Sequence, residues 1–350
     1  MTSGSISWTP LSYPPTTIEN DGTRVNRYDC RKTLSYTTDD TNNVNNIYML
    51  YWIVTEDGKK YHLNTNAGLS KSLFGTFVSM NDLQTMKARG ASNIAPGVVE
   101  QGHMNRKSRL QNIVSPTDGD QWTGTKMSID YLGIKLDAVI KPTGGNFYYG
   151  GGGGIQLVSR GPEPDPAITH PGWSWYWANP TTRVEGTLTV DGEERKIDTE
   201  KSFALFERQW GNFHIGKGYW ALWFYLETGE VLITWGMDPT LDGKVETSFA
   251  SIWHPNGIHE MIPVGPETQA SDISISPTTG LKYFNHFYLD LPARNASFTF
   301  KKWFREAELV PDPPGSQYIT ISESYGEGTA KWNGKDIKMF GHVEQLSTLK

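Results

Sequence analysis

The stretch FALFERQWGNFHIGKGYWALW (residues 203–223) places ionisable side chains inside an apolar, aromatic run. Successive side chains of a β-strand point to opposite faces, so Glu207 and Gln209 share one face while Arg208 and Trp210 share the other. Charged side chains are almost never fully buried unless they are paired. The Glu207–Arg208 step therefore indicates either a structural ion pair at a sheet corner or a functional site.

Composition around this stretch favours a β-rich protein that binds no nucleic acid. The chain has 350 residues, which suits one large or two ordinary domains. Its 13 tryptophans, 36 glycines and 20 prolines suit short strands joined by many turns. The net charge of −6 and the lack of a dense Lys/Arg stripe argue against a nucleic-acid partner. Cys30 is the single cysteine, so an internal disulfide framework is excluded.

No run of residues approaches the ~18 apolar residues of a membrane span, so none is predicted. The opening MTSGSISWTPLSYPP lacks the basic and apolar regions of a signal peptide. The sequence as it stands predicts a cytoplasmic protein, and a secreted one if a leader has been removed.

Apolar runs recur at spacings near 8–12 residues along most of the chain, which predicts an all-β sandwich or barrel. One helix is predicted around residues 79–88, with Asn81 as its N-cap. The glycines at 150–154 invite a phosphate-loop interpretation. Residues 155–158, however, have the pattern of a strand rather than of the helix that such a loop requires, so no nucleotide site is predicted.

Four segments carry a resemblance that spans most of the chain. They are WSWYWANPTTRVEGTLTVDG (173–192), ERQWG (207–211), GYWALWFYLETGEVLITW (218–235) and GHVE (341–344). Together they resemble the lipocalin-like hydroxyneurosporene synthase (CrtC)/AttH family, whose members include carotenoid and phytoalexin hydratases and fungal Diels–Alderases. Two departures stand out: Glu207 replaces the family's usual Asp, and an N-terminal Glu-Trp-Trp-Tyr cluster is matched only loosely by NIYM (46–49).

The resemblance implies two lipocalin-like or sandwich-barrel β-domains, at 1–214 and 215–350, with a ligand cleft between them and no cofactor. The residues themselves show no Gly-x-Ser-x-Gly or His-Glu-x-x-His motif. The eight histidines have no metal-ligand spacing, so no metal is predicted either.

Two mechanisms suit an aromatic cleft of this kind. In the first, the walls orient a polyene for a pericyclic reaction while Arg208, His214 or Asn64 polarises a carbonyl; orientation alone can supply up to ~7–11 kcal/mol. In the second, Glu207 with a raised pKa protonates an alkene or epoxide, as in a hydratase or cyclase. An adjacent arginine lowers the pKa of a carboxyl, so the sequence favours the pericyclic mechanism, that of a Diels–Alderase. A non-catalytic carrier of hydrophobic molecules is a third interpretation.

The predicted partner is a hydrophobic small molecule, and the predicted assembly is a monomer or a weak homo-oligomer. Pockets are mostly apolar and lie preferentially between domains, so at least two of the indoles flanking the junction are expected to line the cleft. The predicted catalytic residues are Arg208, Glu207 and His214, and the predicted binding residues are Tyr48, Trp52, Asn64, Trp210, Asn212, Trp223 and Trp235.

Overall fold

A computed structural model of the chain describes residues 44–70, 73–99, 106–108, 110–114, 124–151, 154–156, 173–212, 217–314 and 320–350. Its regular structure is 23 β-strands and two single-turn 3₁₀ helices, Tyr149–Gly151 and Pro292–Arg294; no α-helix occurs within the ranges given. The predicted all-β fold class is therefore confirmed.

The first half of the chain forms a closed barrel. Ten strands pair antiparallel in the circular order β4-β3-β2-β1-β13-β11-β8-β7-β6-β5, and β5 pairs back onto β4. The strands of this half are β1 Val44–Val54, β2 Lys60–Ser70, β3 Leu73–Asp82, β4 Lys87–Val99, β5 Arg106–Ser108, β6 Gln111–Val114, β7 Thr125–Tyr131, β8 Ile134–Pro142, β9 Phe147–Tyr148, β10 Gly154–Gln156, β11 Trp173–Val190, β12 Glu193–Lys196 and β13 Phe203–Asn212.

The second half forms a curved antiparallel sheet in the order β17-β16-β15-β14-β23-β22-β20-β19-β18. Its strands are β14 Gly218–Leu226, β15 Val231–Met237, β16 Thr247–Trp253, β17 His259–Pro263, β18 Gln269–Ile275, β19 Lys282–Leu291, β20 Ala296–Lys302, β21 Glu308–Pro311, β22 Ile321–Trp332 and β23 Lys335–Ser347. Strand β13 ends before the predicted domain boundary at 214/215 and β14 begins after it, and the boundary itself stays a prediction.

Three apolar clusters follow from the alternation of side chains along these strands. On β1, Ile47 and Met49 point into the first barrel, whereas Tyr48 and Leu50 point to the opposite side. That opposite side packs against β14, β15, β22 and β23 of the second half, and these strands bury a separate cluster of their own on their other face. We call the middle cluster the junction core.

Two strand contacts stand out: one joins the two halves, and the other lies within the second half. Strand β21 pairs in parallel with β4 of the first barrel and antiparallel with β22 of the second half. Strands β14 and β23 approach each other tightly at Gly341, where a Cβ atom would lie 1.7 Å from the carbonyl oxygen of Trp223. Only glycine fits there, because any side chain would collide with backbone.

The helix predicted over 79–88 is wrong. These residues form the end of β3, a turn and the start of β4, with Asp82 opposite Lys87. Asp82 Oδ1 accepts hydrogen bonds from the backbone N–H groups of Gln84 and Thr85. Asn81 Oδ1 accepts a hydrogen bond from the N–H of Tyr325 on β22, 2.6 Å away. Asn and Asp side chains accept hydrogen bonds from nearby backbone N–H groups in turns as well as at helix N-termini, and here Asp82 does so in a turn.

Candidate functional site

The two halves meet around Glu207, near the middle of β13. As the alternation predicts, Glu207 and Arg208 point to opposite faces of this strand. Arg208 lies inside the first barrel, where its Nη1 donates to the carbonyl oxygens of Asn46 (3.0 Å) and Gln209 (2.6 Å). Its guanidinium carbon stands 5.2 Å from the ring centre of Trp210, which belongs to the first barrel's own core. Glu207 faces the junction core instead.

Three donors surround the Glu207 carboxyl. The Tyr149 hydroxyl donates to Oε2 at 2.6 Å and the Tyr176 hydroxyl donates to Oε1 at 2.7 Å. The Trp223 indole N–H, which comes from the second half, lies 3.2 Å from both Oε2 and the Tyr149 hydroxyl oxygen. The three donors therefore surround Glu207 only when both halves are in contact.

Burial raises the pKa of Glu207 to about 8, although hydrogen bonds from Tyr149, Tyr176 and Trp223 oppose the shift. Burial disfavours a charged carboxylate, and donors favour it. The expectation that Arg208 lowers this pKa is wrong, because the strand directs the guanidinium to the other face. At neutral pH Glu207 is thus poised to give up or to take a proton, as a general acid–base group must be.

A second polar group lies on the opposing strands. Glu323 on β22 is fully buried, and its Oε2 lies 2.6 Å from His342 Nε2 on β23. The Tyr48 hydroxyl lies 3.2 Å from the same oxygen and 3.1 Å from His342 Nε2. Asn64 Nδ2 donates to the Tyr48 hydroxyl at 2.5 Å and to Glu323 Oε2 at 3.2 Å.

The two polar groups are joined by stacked rings. Tyr48 and Trp223 stack with centroids 5.6 Å apart and planes inclined by 20°. One ring thus reaches Glu323 through its hydroxyl, and the other reaches Glu207 through its N–H. A third buried carboxyl, Glu344, lies across from Glu323 in the β22–β23 register and accepts a hydrogen bond from Tyr219. Burial raises the pKa of Glu323 and of Glu344 as well.

Of the predicted site residues, Glu207, Tyr48, Asn64 and Trp223 come together here. Trp52 and Trp235 belong to the same junction core, while Arg208 and Trp210 lie in the first barrel. His214 and the side chain of Asn212 lie outside the described residues. The functional roles of all these residues stay predictions.

Sequence reasoning missed Tyr149, Tyr176, His62, Glu323 and His342. The first two were passed over as members of aromatic runs. Glu323 offered a weaker form of the signal that singled out Glu207, a carboxyl among apolar and small residues in the first half of its strand. His342 lies in the GHVE segment that carries part of the resemblance, but nothing in the sequence says that β2 and β23 meet, so its contact with His62 could not be predicted.

Within the described ranges, no group of three or more His, Cys, Asp or Glu side chains has a geometry that could hold a metal ion. No helix in that part of the chain is long and apolar enough to span a membrane.

No protein-family model matches the chain. The dehydratase AsqC of Emericella nidulans is 20% identical over 299 residues, which cover 84% of this chain and 82% of that protein. The kievitone hydratase of Fusarium solani subsp. phaseoli is 30% identical over 182 residues, which cover 50% of this chain and 49% of that protein.

Solved structures share the fold over nearly the whole chain. The crystal structure of kievitone hydratase from Nectria haematococca superposes with a TM-score of 0.81 at 18% identity, covering 99% of both chains. A putative AttH from Nitrosomonas europaea superposes with a TM-score of 0.72 at 17% identity, covering 89% of this chain and 95% of that one. With a hydratase and a dehydratase as relatives and an AttH-like protein as structural neighbour, the resemblance to the CrtC/AttH-like family that the motifs predict is confirmed.

Proposed function

We propose that this protein is an enzyme of the lyase class that adds water to an alkene of a small hydrophobic metabolite or removes water from the corresponding alcohol. The observation that carries the proposal is the Glu207 carboxyl, fully buried where the two halves meet and held by three donors with its pKa near 8. Two relatives named as a hydratase and a dehydratase support the same reaction class.

In the direction of hydration, protonated Glu207 is the general acid. Its O–H bond breaks as the alkene π electrons form a C–H bond, which leaves a carboxylate and a carbocation. Tyr149, Tyr176 and Trp223 then stabilise the carboxylate by hydrogen bonds, while the faces of the stacked aromatic rings stabilise the cation. The oxygen of a water molecule donates a lone pair to the cation and forms the C–O bond. The extra proton of this oxygen leaves to a second group.

In the direction of dehydration every step reverses, and the Glu207 carboxylate takes the proton from carbon. A pKa near the working pH lets one group serve both directions, since neither protonation state is rare. The aromatic surroundings favour a substrate with a prenyl-like or polyene portion, because such a chain buries apolar surface and presents an alkene.

The experiment is isotopic. The purified protein is incubated with kievitone and with a panel of small prenylated aromatics and their tertiary alcohols, in H₂¹⁸O and in D₂O. Water addition would place ¹⁸O at the new hydroxyl and deuterium on the neighbouring carbon, and Glu207→Gln would abolish both. Glu327→Gln is the matched control, because Glu327 also accepts a hydrogen bond from a tyrosine, Tyr325, and also has a raised pKa.

A Diels–Alderase is the second candidate, favoured by the stacked and edge-on rings of the junction core, which suit the orientation of a polyene. It predicts cyclised product with no isotope incorporated and turnover that survives Glu207→Gln. Binding of a panel member without turnover would support the carrier interpretation.

A further inference from the structure

A chain of hydrogen bonds runs inward from Glu323 through two buried imidazoles. His342 Nδ1 lies 2.8 Å from His62 Nε2, and His62 Nδ1 lies 3.0 Å from the backbone carbonyl oxygen of Tyr51. A carbonyl oxygen only accepts hydrogen bonds, so the proton of the last contact must sit on His62 Nδ1. The backbone carbonyl of Tyr51 thereby fixes which atom donates in each hydrogen bond of the series.

Both imidazoles are neutral at ordinary pH. Burial lowers the pKa of His62 to about 3 and holds that of His342 well below its usual value. A neutral imidazole has one donor and one acceptor nitrogen. His62 Nε2 is therefore an acceptor and His342 Nδ1 is the donor to it. His342 Nε2 is therefore unprotonated, and its lone pair faces Glu323 Oε2, 2.6 Å away.

A lone pair 2.6 Å from a carboxyl oxygen requires a proton between the two atoms. His342 cannot supply it without becoming charged, so the proton belongs to Glu323. Burial and the nearby Glu344 carboxyl already raise the pKa of Glu323. The tautomer set by His62 acts in the same direction, because it turns an acceptor nitrogen toward a carboxyl that His62 does not itself contact.

We infer that His62 is a positioning residue that locks the tautomer of His342 and so keeps Glu323 a protonated acid, which is the catalytic group on the hydroxyl side of the reaction. The role in catalysis rests on the proposed function, whereas the locking does not. Among the buried oxygens without a hydrogen-bond partner in the described residues, two belong to this cluster, Glu323 Oε1 and Asn64 Oδ1. Buried polar atoms without partners are uncommon, and a carboxylic acid and an amide oxygen are groups that bind a hydroxyl.

The reaction balances with these two carboxyls. In dehydration, Glu323 gives its proton to the hydroxyl oxygen, the C–O bond breaks and water leaves, while the Glu207 carboxylate takes the proton from the adjacent carbon. Hydration starts from the opposite protonation state: Glu207 protonates the alkene, and ionised Glu323 takes the proton released from the attacking water, so the locked acid favours the direction of dehydration. Each direction ends with one proton moved from one carboxyl to the other.

The titratable groups around His342 and Glu323 are Tyr48 on β1, His62 on β2, Glu344 on β23 and, acting at longer range, Lys302 on β20. Glu344 lies across from Glu323 and raises its pKa. Lys302 Nζ donates to Ser322 Oγ at 2.7 Å, and burial lowers its pKa to about 7. None of these groups offers His342 Nδ1 the acceptor that His62 Nε2 provides, so the locking is assigned to His62 alone.

The test reads the protein itself and needs no substrate. Infrared difference spectra in H₂O and D₂O report protonated carboxyls, and Glu323→Gln identifies the band of Glu323. His62→Leu removes the acceptor and frees His342 to place its proton on Nε2, from which it would donate to an ionised Glu323. We expect the Glu323 band at pH 7 to be lost in His62→Leu, and the ¹⁵N signals of His342 to exchange from the Nδ1–H to the Nε2–H pattern.

His62→Gln is the conservative variant, because its amide can donate to the Tyr51 carbonyl and accept from His342; it should retain both signals. His286→Leu, which removes an imidazole outside this cluster, is the matched control. Unchanged spectra in folded His62→Leu would overturn the inference. With an active substrate, His62→Leu should lower kcat for dehydration about 10-fold with KM nearly constant, and His62→Gln should restore it.

Suppose that the Glu323 band is present in wild type and lost in His62→Leu, but that no substrate gains or loses water. This result would support the locking of the tautomer and refute the proposed reaction. The two failures are thus distinguishable.

Discussion

Glu207 and Glu323 are both fully buried glutamates in the middle of strands, and the structure surrounds them differently. Among the described residues, the hydrogen-bond partners of Glu207 are all donors, two phenol hydroxyls and an indole N–H. Glu323 also meets two donors, Tyr48 and Asn64, but it has in addition an imidazole nitrogen that the inferred tautomer leaves without a proton. Donors stabilise a carboxylate, and an acceptor stabilises a carboxylic acid. The comparison shows two glutamates of equal burial with different hydrogen-bond partners, a difference that would give them different roles in the proposed reaction.

The largest expected effect concerns stability against pH. The pKa of Glu207 is about 8 in the folded protein against 4.5 for the ordinary side chain, so the folded state binds this proton more tightly. The contribution is fully present below pH 4.5 and is lost as the pH rises through 8, on the order of 5 kcal/mol in total. Melting curves of wild type and Glu207→Gln should therefore diverge least at low pH and most above pH 8.

His62 and His342, whose pKa values are lowered, destabilise both proteins equally in acid, so the difference between the two melting curves isolates Glu207. A constant difference from pH 5 to 9 would contradict the raised pKa.

The next effect is on turnover. Glu207→Gln keeps the size of the side chain and one accepting oxygen but cannot transfer a proton, so kcat should fall by ~10²–10⁴. Specific activity of the folded fraction, measured beside Glu327→Gln, checks this. Full activity in folded Glu207→Gln would contradict proton transfer by Glu207 and support the pericyclic mechanism.

Arg208→Ala contrasts the two faces of β13. If Arg208 is the electrophilic donor that the sequence predicts, turnover falls by ~10²–10³. From its position in the first barrel we expect instead a loss of about 3 kcal/mol in the free energy of unfolding, with kcat of the folded enzyme unchanged, because its hydrogen bonds go to backbone carbonyls. Denaturant unfolding and specific activity together separate the two outcomes.

The smallest effect sharpens the contrast between donors and acceptors. Tyr149→Phe removes a donor that favours the ionised form, so the pKa of Glu207 should rise further, by about 1–2 units. The limb of the pH–rate profile that belongs to Glu207 should move upward by that amount. Tyr225→Phe is the control, since the Tyr225 hydroxyl in the same core donates to the carbonyl of Pro180. Equal profiles for the two variants would show that the hydroxyl does not act on Glu207.

The sequence predicted the all-β class and the family resemblance because both rest on local patterns, alternating strands and short motifs. It also predicted that Glu207 and Arg208 part to opposite faces, since a strand has a period of two. It erred on the pKa of Glu207 because adjacency in sequence was taken as adjacency in space. The partners that set this pKa arrive from distant positions, Tyr149 from a 3₁₀ turn and Trp223 from the other half.

Strand β21 has a consequence for how the protein is made. It lies parallel to β4, which is synthesised some two hundred residues earlier, and it leads directly into β22. Domains generally fold from the amino end during synthesis, so the first barrel can present β4 as a template before β21 leaves the ribosome. Glu323 and His342 belong to the strands that follow. A nascent or prematurely released chain therefore carries Glu207 without Glu323 and His342, and in the proposed reaction it would lack one of the two proton-transfer groups.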